Sequence, residues 1–253
     1  MSTFRVGAVE GDHSTAHLVY TDHVNWILLE EGSDLTLVDG GYPGNAADVV
    51  DSIRQIGRRP EDVRGALLTH AHVDHLGGLV SLSEKYGFPV YADPREVAHA
   101  HREVLHQAGP RDIAPMAYRP AVLRWLAGII PLGALSRNGI PDAAPFPVGE
   151  SAAIDLPGRP VPVAAHGHTE GHSGFLVGDG AVLVSGDALD TAHGISKLSG
   201  PQLLPACFHH DIDANRAAVE SFTRLDATTL FPGHGPMLRG SVAEAAHRAL
   251  DRD

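Results

Sequence analysis

The chain has 253 residues, 43% apolar and 20% charged, which allows one large domain with a sizeable core and gives an ordinary soluble balance. Its formal net charge of −12, with no basic run interleaved with aromatics, disfavours a nucleic-acid partner, because such affinity is built mainly on phosphate neutralisation. Cys207 stands alone, which excludes an internal disulfide or a cysteine-rich metal site; Met1-Ser2-Thr3-Phe4-Arg5-Val6 lacks the apolar region of a signal peptide, and no apolar run approaches the ~20 residues that cross a bilayer, so a cytoplasmic chain with no membrane partner is expected.

Taken in order, residues 4–9, 15–20, 24–30 and 35–38 read as short strands, rich in β-branched, aromatic and aliphatic residues between polar breaks. Asp39-Gly40-Gly41-Tyr42-Pro43-Gly44 reads as a turn. Asn45 is placed to cap a helix in which Ala46, Val49, Val50, Ile53 and Ile56 recur at helical spacing. Residues 65–68 form a short buried strand. Leu76-Gly77-Gly78-Leu79 is read as a tight turn into a helix from Leu79 to Tyr86, followed by a strand at 89–92.

Residues 93–147 are different. A helix is expected from Pro94 to His106, with His99, His101 and His106 exposed on it. Prolines then punctuate the chain around an apolar helix at Ala121 to Ile130. This segment reads as an insertion that either covers a cleft or makes a dimer contact through Trp125, Leu126, Ile129 and Ile130. Strands are expected again at 151–154, 161–165, 174–177, 181–184 and 229–231. Helices are expected from Asp213, as the cap, to Leu225 and from Ser241 to Asp253. No linker divides residues 1–253, which read as a single domain.

Thr69-His70-Ala71-His72-Val73-Asp74-His75 concentrates metal-binding side chains directly after a buried strand. Alternate residues of an extended segment face the same way, so His70 and His72 can share one metal ion, while Asp74 and His75 turn toward a second position. A crowd of imidazoles and a carboxylate calls for compensating charge.

The His-x-His-x-Asp-His pattern resembles the metallo-β-lactamase superfamily. Four further motifs occur in that family's order. Asp39 lies in Leu37-Val38-Asp39-Gly40-Gly41, and His172 in Gly167-His168-Thr169-Glu170-Gly171-His172-Ser173. Asp187 lies in Val184-Ser185-Gly186-Asp187-Ala188, and His234 in Phe231-Pro232-Gly233-His234-Gly235. The resemblance implies an α/β fold: a four-layer αββα sandwich with the metals at one edge between the sheets, and 93–147 as a helical lid or insertion. It implies that His70, His72 and His172 hold one metal, that Asp74, His75 and His234 hold a second, and that Asp187 bridges them. Thr69, His166 and His168 are expected to be supporting, and Asp39 to steady the histidine turn. Two divalent ions are implied. Imidazole and carboxylate ligands suit zinc first, with iron or manganese as alternatives.

The chemistry so implied is hydrolysis by a hydroxide held between two metals, with Asp74 orienting it, on a small thioester, ester or lactone. Within the family, secreted β-lactamases carry an export signal and usually lack the bridging aspartate. Glyoxalase II enzymes add a C-terminal helical region for glutathione, where this chain has only a short tail. Acyl-homoserine lactonases often have Tyr three residues after the bridging aspartate, where this chain has Asp190. Alternatives are a mononuclear iron persulfide dioxygenase on the same fold, a lactonase, a phosphodiesterase, or a metal-binding protein without turnover. The expected partner is a small substrate with an apolar acyl group, and a homodimer is one reading of the insertion.

Overall fold

The computed structural model describes residues 4–148 and 152–252. Strands β1 (Arg5–Glu10), β2 (Thr15–Tyr20), β3 (Asn25–Glu31) and β4 (Asp34–Val38) form an antiparallel meander. Helix α1 (Ala46–Gln55) leads to β5 (Val63–Leu67), which pairs parallel with β4, and α2 (Val73–Tyr86) leads to β6 (Val90–Ala92), parallel to β5. Helices α3 (Val97–Ala100), α4 (Pro110–Ile113) and α5 (Pro120–Ile129) then precede β7 (Ala144–Pro145), which completes a seven-stranded sheet in chain order. The second sheet comprises β8 (Val161–Ala164), β9 (Ser173–Val177), β10 (Val182–Gly186) and, after α6 (Ile212–Phe222), β11 (Thr229–Pro232) and β12 (Leu238–Arg239). Its spatial order is β12-β11-β10-β9-β8, and α7 (Val242–Leu250) closes the chain.

The layering follows from side chains alternating across a strand. Leu18, Ile27, Leu29, Val38 and Leu67 point from the first sheet toward Phe175, Val177, Val182, Val184 and Phe231 of the second, and these residues fill the space between the sheets. Their sequence neighbours Val19, Trp26, Leu28, Leu37 and Ala66 point the other way, onto Val49 and Ile53 of α1 and Leu76, Leu79 and Leu82 of α2. Leu183 and Leu230 likewise pack under Val219 and Phe222 of α6 and Val242, Ala246 and Ala249 of α7. Strands covered on both faces read as nearly unbroken apolar runs, as seen in β3 and β10. The result is the expected αββα sandwich. Among the described residues, no helix is long and apolar enough to cross a membrane.

Several local expectations are corrected. Helix α2 starts at Val73, so Asp74 and His75 lie in its first turn, with His72 at the N-cap. Gly77 and Gly78 are inside this helix and serve close packing: a Cβ at Gly78 would lie 2.1 Å from the Gly40 carbonyl oxygen. The helix expected from Pro94 to His106 is reduced to α3, because Arg102 takes a left-handed backbone (φ 67°) that a helix cannot continue through. His99 is buried, not exposed. Helix α6 is capped by Asp211, whose carboxylate accepts from the Asp213 and Ala214 amides, and not by Asp213. Of the strand expected at 151–154, Ser151 lies outside the described residues and 152–154 are not extended into a strand.

Candidate metal centre

Five connections converge at one edge of the sandwich: those after β4 and β5, the loop between β8 and β9, and the loops after β10 and β11. Asp39, at the end of β4, adopts a left-handed backbone (φ 61°). Its carboxylate accepts from the Thr69 amide at 2.8 Å, the Thr69 hydroxyl at 2.7 Å and His75 Nδ1 at 2.8 Å. One buried side chain therefore fixes both the entry to the histidine turn and the first turn of α2.

The hydrogen bonds around the imidazoles set their tautomers. Thr69 Oγ1, having donated to Asp39, accepts from His70 Nδ1 at 3.0 Å. His72 Nε2 donates to the His106 carbonyl, His75 Nδ1 to Asp39, and His234 Nδ1 to the His23 carbonyl at 2.6 Å. His209 Nε2 donates to the Leu204 carbonyl at 3.1 Å, which leaves its Nδ1 to accept from His168 Nδ1 at 3.3 Å. Five of these rings, those of His70, His72, His75, His168 and His234, send one N–H outward and turn the other nitrogen toward the centre, where His168 Nε2 and His72 Nδ1 face each other at 3.0 Å. A ligating histidine is normally oriented in this way.

Those inward nitrogens form two groups. The ligand atoms of His70, His72, His168 and Asp187 lie within 4.8 Å of one another, as do those of Asp74, His75 and His234. Asp187 sits between the groups. Its Oδ2 is 3.5 Å from His168 Nε2, 3.8 Å from His70 Nε2 and 3.1 Å from His234 Nε2, and its Oδ1 is 3.2 Å from His75 Nε2. Gly233 makes room for it, since a Cβ there would lie 1.9 Å from Asp187 Oδ1. His70 Nε2 is buried with no hydrogen-bond partner, and His75 Nε2 and Asp187 Oδ1 have only each other, 3.2 Å apart. Buried polar atoms without partners are costly, and a cation between them removes that cost. The donor set fits a pair of divalent ions held by imidazole and carboxylate.

Electrostatics point the same way. Burial, then the neighbouring His75 and His72, push His70 well below the ordinary histidine value, and burial takes His72 down to about 4. Burial would also lower His75 and His234. Asp187 and Asp39 outweigh it at His75 and hold that ring well above its usual value, while Asp187 raises His234 to about 9. Without metal, protons on these two rings supply the positive charge that Asp187 requires.

The third imidazole of the first group is His168, where His172 was expected. His172 Nε2 instead accepts the Asp187 amide at 3.1 Å, so this ring steadies the backbone of Asp187. His166 bonds Arg95 and Asp93 away from the centre, as a supporting residue would. Three contributors were not anticipated. Glu96, buried at the start of α3, accepts from the Ala71 and Gly171 amides, the Thr169 hydroxyl and His99 Nδ1, and so ties the insertion to both histidine-bearing loops. Tyr42, also buried, has its hydroxyl beside Asp74; burial and then the charges of Asp74 and Asp187 hold it well above the usual tyrosine value. Asp190 accepts the His234 amide at 2.8 Å. Tyr42 could have been suspected from its place two residues after Gly40, beside the Asp39 turn. Nothing in the local pattern marks Glu96.

Comparison with known proteins agrees with this geometry. The family model of the metallo-beta-lactamase superfamily matches residues 19–234. The chain is 27% identical to the "Probable metallo-hydrolase YflN" of Bacillus subtilis over 237 residues, covering 87% of this chain and 84% of that protein. A shorter stretch of 77 residues, 30% of this chain and 28% of the relative, is 38% identical to hydroxyacylglutathione hydrolase of Klebsiella pneumoniae. Among solved structures, metallo-beta-lactamase SMB-1 in complex with mercaptoacetic acid superposes with a TM-score of 0.67 at 19% identity, covering 96% of this chain and 93% of that one; at that identity the likeness speaks for the fold.

Proposed function

Since this chain belongs to the metallo-beta-lactamase superfamily and is a metallo-hydrolase, we propose that it uses two divalent metal ions to hydrolyse a small thioester, ester or lactone with an apolar acyl group. The observation that carries this reading is the convergence of five inward-facing imidazole nitrogens on Asp187 from both sides. His70, His72 and His168 would hold one ion, Asp74, His75 and His234 the other, and Asp187 both. A second complete group favours two metals over the single iron of a persulfide dioxygenase. Two divalent cations, zinc first and iron or manganese as alternatives, would bring the loss of a water proton into the neutral range and polarise an acyl carbonyl.

The chain's own residues do the rest. Asp74 is the ligand most open to the cleft, with 16% side-chain exposure, and its carboxylate is placed to orient the attacking water and receive its proton. The Tyr42 hydroxyl holds Asp74 in that position. The insertion closes the other side: the His106 carbonyl and the Gln107 side chain bond His72 and the Val73 amide, and Ile113, Val122 and Ile195 pack there with Met116, Trp125, Leu126 and Phe208. An apolar cover of this kind suits an apolar acyl group and keeps bulk water from the reacting atoms.

The test is a panel of thioesters, esters, lactones and phosphodiesters, assayed with protein reconstituted with zinc, manganese or iron, alongside elemental analysis. Acyl cleavage with about two metal equivalents per chain is expected. A reproducible single equivalent, or turnover of phosphodiesters alone, would overturn the reading.

A further inference from the structure

Three aromatic rings from three separate segments meet beside the second ligand group. Trp125 comes from α5, His193 from the loop after β10, and Phe208 from the turn before α6. Their centroids are 5.5 Å (Trp125 to His193), 6.1 Å (Trp125 to Phe208) and 5.7 Å (His193 to Phe208) apart. His193 also stands edge-on to His234, with centroids 4.9 Å apart and planes at 86°. The trio therefore abuts a ligand ring directly.

The orientation of His193 is set by its own loop. Its Nδ1 accepts the Ile195 amide at 3.4 Å, so the proton of the neutral ring lies on Nε2. Among the described residues, no protein group accepts that Nε2–H. The same loop is joined to the insertion. A Cβ at Gly194 would lie 2.8 Å from Trp125 Cδ1, so only glycine lets the indole sit this close, and Arg119 Nη2 donates to the Ile195 carbonyl at 3.1 Å. The insertion and the His193 loop thus build one wall, in which Trp125 and Phe208 supply aromatic faces and His193 an N–H donor.

We propose that Trp125 and Phe208 form the acyl subsite and that His193 Nε2–H donates to the substrate's acyl carbonyl oxygen, so that the enzyme prefers neutral substrates with an aromatic or branched apolar acyl group. This rests on the hydrolase reading above. The chemistry of the wall supports it. Aromatic faces gain from burying flat or branched apolar groups, and none of the three side chains carries a charge to pair with an ionic substituent. A donor fixed by the backbone costs no reorganisation when the carbonyl oxygen gains negative charge.

The experiment uses metal-reconstituted protein and two kinds of readout. Binding of phenylacetamide and of acetamide is followed by calorimetry and by indole fluorescence, in the wild type and in Trp125→Phe, which removes the reporting indole. Hydrolysis of phenylacetyl and acetyl thioesters is measured in the wild type, Trp125→Ala, Phe208→Ala, His193→Phe and His193→Gln, with metal content checked for each. The wild type should bind phenylacetamide at least about tenfold more tightly than acetamide and prefer the phenylacetyl thioester by a similar factor in kcat/KM. Trp125→Ala and Phe208→Ala should collapse that ratio, mostly through KM. His193→Phe should lower kcat/KM by roughly 100-fold at full metal content, and His193→Gln, which keeps an N–H donor, should recover part of the loss. Equal binding of the two amides, or a His193→Phe variant as active as the wild type, overturns the proposal. Binding needs no turnover. A panel in which no acyl compound is cleaved therefore rejects the hydrolase reading, whereas loss of amide discrimination rejects the subsite.

Discussion

Loading metal at pH 7 should release protons, and the metal-free protein should lose stability as pH rises. His234 is held at about 9, against 6.5 for an ordinary histidine, by Asp187 acting against burial, and His75 is raised by Asp187 and Asp39. Both rings are fully protonated below the ordinary value in the folded and the unfolded chain. Between 6.5 and about 9 only the folded chain keeps the His234 proton. That proton therefore stabilises the metal-free fold fully below about pH 6.5, and the contribution is lost as pH climbs through about 9. For His234 alone it amounts to about 3 kcal/mol, or roughly 10 °C in Tm for a chain of this size. The same proton must leave before zinc can bind, which weakens apparent affinity at pH 7 by roughly 50-fold relative to pH 9. Calorimetry of zinc binding in buffers of different ionisation enthalpy should show one to two protons released per chain, and thermal scans of metal-free protein should fall from pH 6.5 to 9. Zinc binding with no proton release, or a metal-free Tm that is flat or rising over that interval, would refute the charge-substitution argument.

Other outcomes follow from single contacts. His168→Ala should cost about one metal equivalent per chain, whereas His172→Ala should keep its metal and lose thermal stability; elemental analysis showing the reverse would return the ligand role to His172. Glu96→Gln sets an amide N–H against a carboxylate site that only accepts, so it should destabilise the fold by roughly 3 kcal/mol, seen as a lower urea midpoint, while a neutral result would mean the two loops hold themselves. Tyr42→Phe should retain fold and metal but lower kcat by about tenfold with KM little changed, because Asp74 loses a hydrogen bond worth about 1.5 kcal/mol; an unaltered kcat would remove Tyr42 from the mechanism.

The layers were legible in the sequence because short apolar runs bounded by turn residues are local signals, and the helices that cover them repeat at helical spacing. The ligand cluster His70 to His75 was legible for a similar reason: four donors on one turn need no tertiary information to be noticed. What local pattern could not supply was contact between distant segments. Helix α2 begins four residues before its glycine pair because Gly77 and Gly78 answer to the turn at Gly40–Pro43, which sequence spacing does not reveal. His99 reads as an exposed residue of a longer helix, and Glu96 beside it carries no signal of its own. They are buried because the insertion folds back onto both histidine loops.

The exchange of His168 and His172 shows how such a limit arises. Both rings lie in one glycine-bounded loop, four residues apart, and either could reach a metal. The choice is made by register. Ser173 starts β9, and its amide bonds the Thr69 carbonyl, so the residue before it is held at the sheet edge beneath the Asp187 amide. His168 stands at the far side of the loop. There the Glu96 carboxylate grips Thr169 and Gly171, and His209, from the segment before α6, takes the outward N–H. The ring nearer the strand is thereby committed to shaping the backbone, and the ring farther from it is free to ligate. A sequence gives the spacing of two histidines, but which one joins His70, His72 and Asp187 depends on a strand contact about 100 residues distant.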